Sequence, residues 1–525
     1  MQQTITLARP KLQSKDEKQP ETLGGLLSYS AQQFGAETAL IADNNHYSYV
    51  QLDHMAAQLA NALKNQGVRT GDRVSLLAEN SAVWLVCYHG VLRLGAVINP
   101  LNIMLTAEEV EFALTDCGSK ALMASGSKLL ALKDSSLLSS LKIVVSLDET
   151  GSENAINFEE FIAGQSETFT PIQVSAKSLS TICYTSGTTG RPKGVMQSHE
   201  SVLFNTTMTA YMHARSHGDV VVSALPCPHV YGNVVNNSAL LNGLTVIMHR
   251  RFDEQGVLGS IERYSATIFE GVPAMYMMLL NHPDLNNTDL SSLRLCTVGG
   301  QTMPVAKMKS VVELFNCPLV ELWGMTEIAG LGTTFYTDSD ARMGSIGLPL
   351  PGVDARIANT EDASITLPAG ELGELMIRGP IVMMGYFNND VATCETIEAD
   401  GWLHSGDIAY IDEQGYIFIV DRKKDMILTG GYNIYPAEIE RVISTHPGVA
   451  MVAVGSIPDE IKGEVPKAYV VLKQGVTTEF SAVIAYCRQY LAAYKIPRQI
   501  QFVEDLPKTS TGKIMRRALH SLDND

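Results

Sequence analysis

The stretch Tyr184-Thr185-Ser186-Gly187-Thr188-Thr189-Gly190-Arg191-Pro192-Lys193-Gly194 packs three glycines, four Ser or Thr hydroxyls and two cations into eleven residues, directly after an apolar strand read at Leu179 to Cys183. Glycines let backbone N–H groups approach an anion closely, hydroxyls add donors, and Lys or Arg adds charge. Physically this is a phosphate-cradling loop. It is not a Walker A loop, because Pro192 precedes Lys193 and Gly194 follows it where that motif requires Gly-Lys-Ser/Thr. Gly, Ser and Thr alone would read as a surface turn; the full string outweighs that reading.

On either side of this loop, helix and strand signals alternate. Leu52, Met55, Ala56, Leu59 and Leu63 recur at helical spacing and stop at Gly67. A strand is expected at Val74 to Leu77, a helix at Trp84 to Leu94 and a strand at Ala96 to Ile98. Thr106 with Glu109 is a capping-box signature, and Ala121 to Ala124 reads as the next strand. This rhythm predicts an α/β fold with parallel sheets covered by helices. Past residue 400 the pattern changes. A hairpin is expected around Asp412-Glu413-Gln414-Gly415, the charged run Asp421-Arg422-Lys423-Lys424-Asp425 follows, and a unit with its own strands and helices (Pro436 to Ser444, Ser481 to Leu491) closes the chain. The expected organisation is a polar leader over 1–24, a large N-terminal body over 25–423, and a small mobile α+β domain over 424–525.

At 525 residues the chain has room for about three or four structural units, which excludes a lone small binding module. With 39 Lys and Arg against 56 Asp and Glu, the net charge is −17 and no dense basic stretch stands out, so nucleic acid is not an expected partner, nor is an anionic membrane surface. The eight cysteines are scattered without metal-ligand spacing and read as reduced thiols of a cytoplasmic protein. The first twenty residues lack the apolar core of a secretory signal, no apolar run reaches about 18 residues, and the chain does not end in a peroxisomal address.

The eleven-residue string resembles the signature loop of the adenylate-forming superfamily, which includes acyl-CoA synthetases, firefly-luciferase-like enzymes and the adenylation domains of peptide synthetases. Four further stretches resemble its motifs in order: Trp323-Gly324-Met325-Thr326-Glu327, Gly401-Trp402-Leu403-His404-Ser405-Gly406-Asp407, the run 421–425, and Pro507-Lys508-Thr509-Ser510-Thr511-Gly512-Lys513. The resemblance covers about residues 25 to 515. It implies a ligase that joins a small-molecule carboxylic acid to coenzyme A through an acyl-AMP, using ATP and Mg²⁺. A homodimer is compatible with it.

Within that resemblance, Thr185, Ser186, Gly187, Thr188, Thr189, Gly190 and Lys193 bind the phosphates. Trp323 offers adenine a flat face, where relatives often carry Tyr, although a lone Trp is more often core. Gly300, Gln301, Gly324 and Met325 complete the nucleotide contacts, Thr326 donates to the α-phosphate, and Glu327 is the Mg²⁺ ligand. Asp407 accepts the ribose hydroxyls and Arg422 is a second ribose contact. Lys513 bridges the substrate carboxylate and the α-phosphate as a compact cation, and no acyl-enzyme nucleophile is expected. A swing about the hinge residue Lys424 then withdraws it and brings in Gly430, Gly431 and Tyr432, whose two glycines let a pantetheine arm pass.

The acyl pocket is expected from His229, Val230, Val272, Met275, Gly299 and Met303. His229 stands where amino-acid-activating relatives carry Asp, so an α-ammonium group would find no counter-charge; the histidine is either an aromatic gate with a part in catalysis or a hydrogen-bonded structural residue. A medium- or long-chain fatty acid is the expected substrate, an aryl acid of the coumarate type the alternative. Polar Gln301 leaves a short or functionalised acid open. A luciferase-like oxygenase, a carrier-loading module and a degenerate binding protein are the remaining readings; intact Lys513, Glu327 and Asp407 oppose the last.

Overall fold

The computed structural model describes the chain apart from residues 1–2, 10–18, 134, 136–137, 139–140, 149–154, 186–191, 338–341, 430–431, 460–461, 509–513 and 525. Compactness divides it into two units. The larger holds Ile5–Ala355 and Ile377–Leu403; the smaller holds Met1–Thr4, Arg356–Met376 and His404–Asp525.

The larger unit is α/β, built on an eight-stranded and a nine-stranded sheet. In the first, Arg73–Leu77, Val97–Pro100, Ala121–Ala124 and Ile143–Ser146 run parallel, each preceded or followed by a helix as the alternation predicts. Leu179–Thr185 joins parallel to Val97–Pro100, and Lys193–Ser198 folds back antiparallel on it. Gly385–Tyr386 adds a short antiparallel edge. In the second sheet Val220–Ser223, Thr245–Met248, Ile268–Gly271, Leu295–Gly299 and Leu319–Met325 are parallel, and Gly330–Thr334 turns back antiparallel on the last. The antiparallel margins are an addition to the expected parallel sheets. Their strands are short and buried, so they show no period that would reveal direction.

Local chemistry accounts for the helices. Thr106 and Glu109 form the anticipated capping box at the helix Ala107–Asp116, and Ser48 with Gln51 forms another at Tyr49–Asn65, which ends just before Gly67 in the left-handed region. The core of the nine-stranded sheet gathers Val222, Ile261, Phe269, Tyr276, Val298, Met303, Met308 and Phe315. Burying each such side chain contributes roughly 1.5–3 kcal/mol.

The smaller unit includes a five-stranded sheet ordered Thr4–Thr6, Asp354–Ala358, Gly373–Arg378, Leu403–Ile411, Ile417–Arg422; the last two form the predicted hairpin. Its C-terminal part is α+β. A long antiparallel pair, Val449–Asp459 with Gly463–Leu472, packs the helices Pro436–Ser444 and Phe480–Tyr490 over a core of Ile439, Ile443, Val454, Val470 and Val483. Among the described residues no helix is long and apolar enough to cross a membrane.

Candidate active site

In the larger unit the phosphate-loop string is the connection of a β-hairpin. Thr185 pairs with Lys193 across it, and the Thr185 hydroxyl donates to the Lys193 carbonyl at 3.5 Å. Ser186, Gly187, Thr188, Thr189 and Gly190 lie outside the described residues. At the base of the hairpin the Tyr184 hydroxyl donates to Asp116 at 2.6 Å. Lys193 Nζ sits 4.9 Å above the ring of Tyr386, and the Tyr386 hydroxyl donates to Glu327 Oε1 at 2.9 Å. Burial first, and the Glu327 charge second, push the Tyr386 phenol up, so it remains a donor at neutral pH. Lys193, Tyr386 and Glu327 thus form one cation–aromatic–carboxylate group.

Glu327 and Thr326 are held by their backbones. They lie in a short 3₁₀ turn that joins the strands Leu319–Met325 and Gly330–Thr334. Gln197 donates to the Thr326 carbonyl at 2.8 Å, the Met383 N–H to the Glu327 carbonyl at 2.8 Å, and Asn205 to the carbonyls of Ile328 and Leu331 at 3.1 and 2.7 Å. Trp323 is buried, and a Cβ on Gly332 would lie 2.5 Å from its ring. Met325 is half-buried, while Gly324 and Gly300 are exposed.

The residues expected to line the acyl pocket occupy neighbouring carboxyl ends of parallel strands, the usual place for ligands in open α/β sheets. Gly271 pairs with Val298, so Val272 and Gly299 emerge side by side. Gly299 is tight against Leu322, whose Cδ1 would lie 2.2 Å from an added Cβ. Val272, Met275 and Gln301 are half-buried, and Val230 is buried. Met303 is buried in the core cluster with Val298 and Met308. His229 caps the helix Val230–Asn242: its Nδ1 accepts the Tyr231 N–H at 3.3 Å, which leaves the proton of the neutral ring on Nε2. Beneath it, Tyr231 donates to Glu270 Oε2 at 3.0 Å and lies 2.5 Å from the Thr297 hydroxyl, while Glu270 is paired with buried Arg215.

In the smaller unit Asp407 and Arg422 are cross-strand partners, with Arg422 Nε 2.7 Å from the buried carboxylate of Asp407. Glu374 accepts Lys423 Nζ at 2.8 Å and lies 3.2 Å from His404 Nδ1. Burial opposes its ionisation, but these partners outweigh burial and hold the carboxyl at about 2. Lys424 sits in the short turn Lys423–Asp425. Close by, Arg516 pairs with Asp421, Asp425 and Glu440 at 3.3, 3.0 and 2.7 Å. The backbone of Tyr432 lies in the strand Tyr432–Ile434. Gly430, Gly431 and Lys513 lie outside the described residues.

The AMP-binding enzyme family model matches residues 27–387, and the model for the AMP-binding enzyme C-terminal domain matches 438–513. The chain belongs to the adenylate-forming superfamily, among its acyl-CoA synthetases. It is 34% identical to a long-chain-fatty-acid–CoA ligase of Bacillus subtilis, over 95% of this chain and 94% of that one. It is 35% identical to a feruloyl-CoA synthase of an Amycolatopsis species, over 91% and 94%. In structure it is similar to ATP-bound MatB from Rhodopseudomonas palustris, with a TM-score of 0.89 at 32% identity over 96% and 99% of the two chains.

In this synthetase the contacts above also involve residues that sequence reasoning passed over. Tyr386 stands 193 positions after Lys193 and carries no motif of its own. Gln197 and Asn205, which hold the Thr326–Glu327 turn, read in sequence as ordinary polar residues of a strand and a helix. Arg516 is three residues past Lys513, and only its three carboxylate partners distinguish it from a surface cation.

Proposed function

We propose that this acyl-CoA synthetase activates an apolar carboxylic acid, foremost a medium- or long-chain fatty acid, in the cytoplasm. The observation that carries this reading is the lining of the strand ends. Val272 and Gly299 emerge side by side from adjacent strands, Val272 and Met275 are half-buried apolar residues, and Glu270, the carboxylate two residues before Val272, is already committed to Arg215, Tyr231 and Thr297. An α-ammonium group would be buried there unpaired.

In the proposed reaction a carboxylate oxygen attacks the α-phosphorus of ATP, the bond to the β-phosphate breaks, and pyrophosphate leaves. The CoA sulfur then attacks the acyl carbon, AMP leaves, and the thiol proton passes to solvent. Thr185, Lys193 and the loop between them hold the phosphates, Trp323 faces adenine, and Asp407 with Arg422 takes the ribose. Thr326 and Lys513 stabilise charge that develops at the α-phosphate. Lys424 is the pivot, and Gly430 and Gly431 line the path of the thiol. Glu327 fits Mg²⁺: a half-buried carboxylate oriented by the Tyr386 hydroxyl is the single hard oxygen ligand this ion commonly takes beside phosphates and water. Bound there, the ion would neutralise phosphate charge.

Pyrophosphate release measured over acids of graded chain length and aromaticity, with and without CoA, tests the reading. Release is expected to rise with aliphatic length; a peak at hydroxycinnamic acids would instead favour the aryl reading, in keeping with the likeness to a feruloyl-CoA synthase. Lys513→Ala should abolish acid-dependent ATP–pyrophosphate exchange while sparing thioester formation from supplied acyl-AMP. Equal loss of both would sink the role given to Lys513.

A further inference from the structure

Each of the three segments that flank the acid's place contributes one buried polar group to a single cluster. Tyr231 stands two residues after His229, Glu270 two residues before Val272, and Thr297 two residues before Gly299. Because side chains on a strand alternate, a two-residue offset puts Glu270 and Thr297 on the same sheet face as Val272 and Gly299, one step deeper. Their pairing in register, Glu270 opposite Thr297, sets the two groups side by side. Tyr231 comes down from the helix Val230–Asn242 and meets both.

The cluster is closed by Arg215. Its Nη2 pairs with Glu270 Oε1, and the same nitrogen lies 3.4 Å from His213 Nδ1. Its Nη1 donates to Ser238 at 3.0 Å, on the same helix as Tyr231. That helix is therefore pinned near both ends, at Tyr231 in its first turn and at Ser238 two turns on. Arg215 and Glu270 are both buried. Burying such a pair is expensive, and well-packed apolar side chains of similar volume often stabilise a core as well or better. Unlike an apolar contact, though, hydrogen bonds to a fixed carboxylate admit one rotation and one register of the helix.

We infer that Tyr231 and Glu270 are positioning residues for the acid: the shared carboxylate fixes the start of the Val230–Asn242 helix against the ends of the strands Ile268–Gly271 and Leu295–Gly299, and so sets the width of the acyl slot. This rests on the ligase reading above. Removing the Tyr231 hydroxyl frees the helix start while Glu270 keeps Arg215 and Thr297, so the chain still folds.

The test is steady-state pyrophosphate release by the full-length protein over a straight-chain acid series, together with Tm, for wild type, Tyr231→Phe, Thr297→Val and Thr297→Ser. Tyr231→Phe and Thr297→Val are expected to raise the KM for the best acid about tenfold, the worth of one hydrogen bond to a charged group, with the KM for ATP unchanged. Discrimination between acids two carbons apart should also narrow. Thr297→Ser, which keeps the hydroxyl, should restore the wild-type profile. The inference is overturned if the variants lose thermal stability with the acid KM and chain-length profile unaltered, or if the KM values for acid and ATP rise together. Should wild type release pyrophosphate with none of the acids, the ligase reading falls and takes this inference with it; an active wild type with indifferent variants removes the inference alone.

Discussion

Glu321 lies two residues before Trp323, on the strand that leads to Thr326 and Glu327. Its carboxyl is buried, takes the Met303 N–H on one oxygen and, among the described residues, has no partner for Oε2. Burial raises its pKa to about 8, against a usual carboxyl value near 4.3. A folded-state pKa above the unfolded one means that the native form holds its proton longer. Stability from this group is therefore full at low pH and is lost as pH rises from about 4.5 through 8. Glu321→Gln keeps an acceptor for Met303 and removes the titration. Differential scanning calorimetry should show the Tm of the native protein falling, relative to the variant, by about 2–3 °C between pH 6 and 9. At this scale the sequence reveals motif residues and hides their supports. Thr326, Glu327, Asp407 and Lys193 stand in contiguous strings whose composition is improbable by chance. Glu321 and Tyr386 act through burial and through partners brought from far along the chain, and neither property exists before folding.

The hairpin from Leu319 to Thr334 is the element that carries the most chemistry in the least space. Its two strands approach so closely at Gly324 that an added Cβ would lie 2.0 Å from the Gly330 carbonyl oxygen. The pairing shifts register between Trp323 and Gly324, and the turn needs Ala329 in the left-handed region at φ 57°. Gly324→Ala must push the strands apart or leave them unpaired, a cost of about 1–3 kcal/mol, and it moves Thr326 and Glu327 with the turn. Denaturant unfolding should report that loss, and ATP–pyrophosphate exchange should fall at least about tenfold, since a misplacement of about 1 Å can cost a hundredfold. Elements with a period or a cap are legible in sequence: the capping box at Thr106 and Glu109, the helix Pro436–Ser444 with proline in its first turn, the hairpin around Asp412 to Gly415. The antiparallel strand Lys193–Ser198 and the two-residue strand Gly385–Tyr386 are not. Alternation cannot give direction, and two residues have no period.

Across the whole molecule the net charge of −17 leaves carboxylates in excess, and in the smaller unit a single cation, Arg516, is the centre of a cluster of them. Three carboxylates share its guanidinium, and the most buried of them, Asp421, is raised to about 6 chiefly by burial. Arg516→Met leaves those carboxylates facing one another. The expected cost is about 2 kcal/mol, less than for a fully buried pair because Arg516 is a quarter exposed. Hydrogen exchange should show faster opening of the helix Pro436–Ser444 with the helix Val230–Asn242 unaffected. That the smaller unit draws on Arg356–Met376 as well as on the C-terminal residues is beyond a composition-based reading, which follows the chain in one dimension. Its sheet also has a consequence for how the protein is made. The strand Gly373–Arg378, with Leu375, Met376 and Ile377 wholly buried in the finished fold, emerges from the ribosome before its neighbour Leu403–Ile411 does. For the time needed to translate some two dozen residues, a second or more at about 5–20 residues per second, a nascent chain carries an apolar strand with one bare edge. Slower elongation would lengthen that interval, during which the bare edge is open to pairing with another nascent chain.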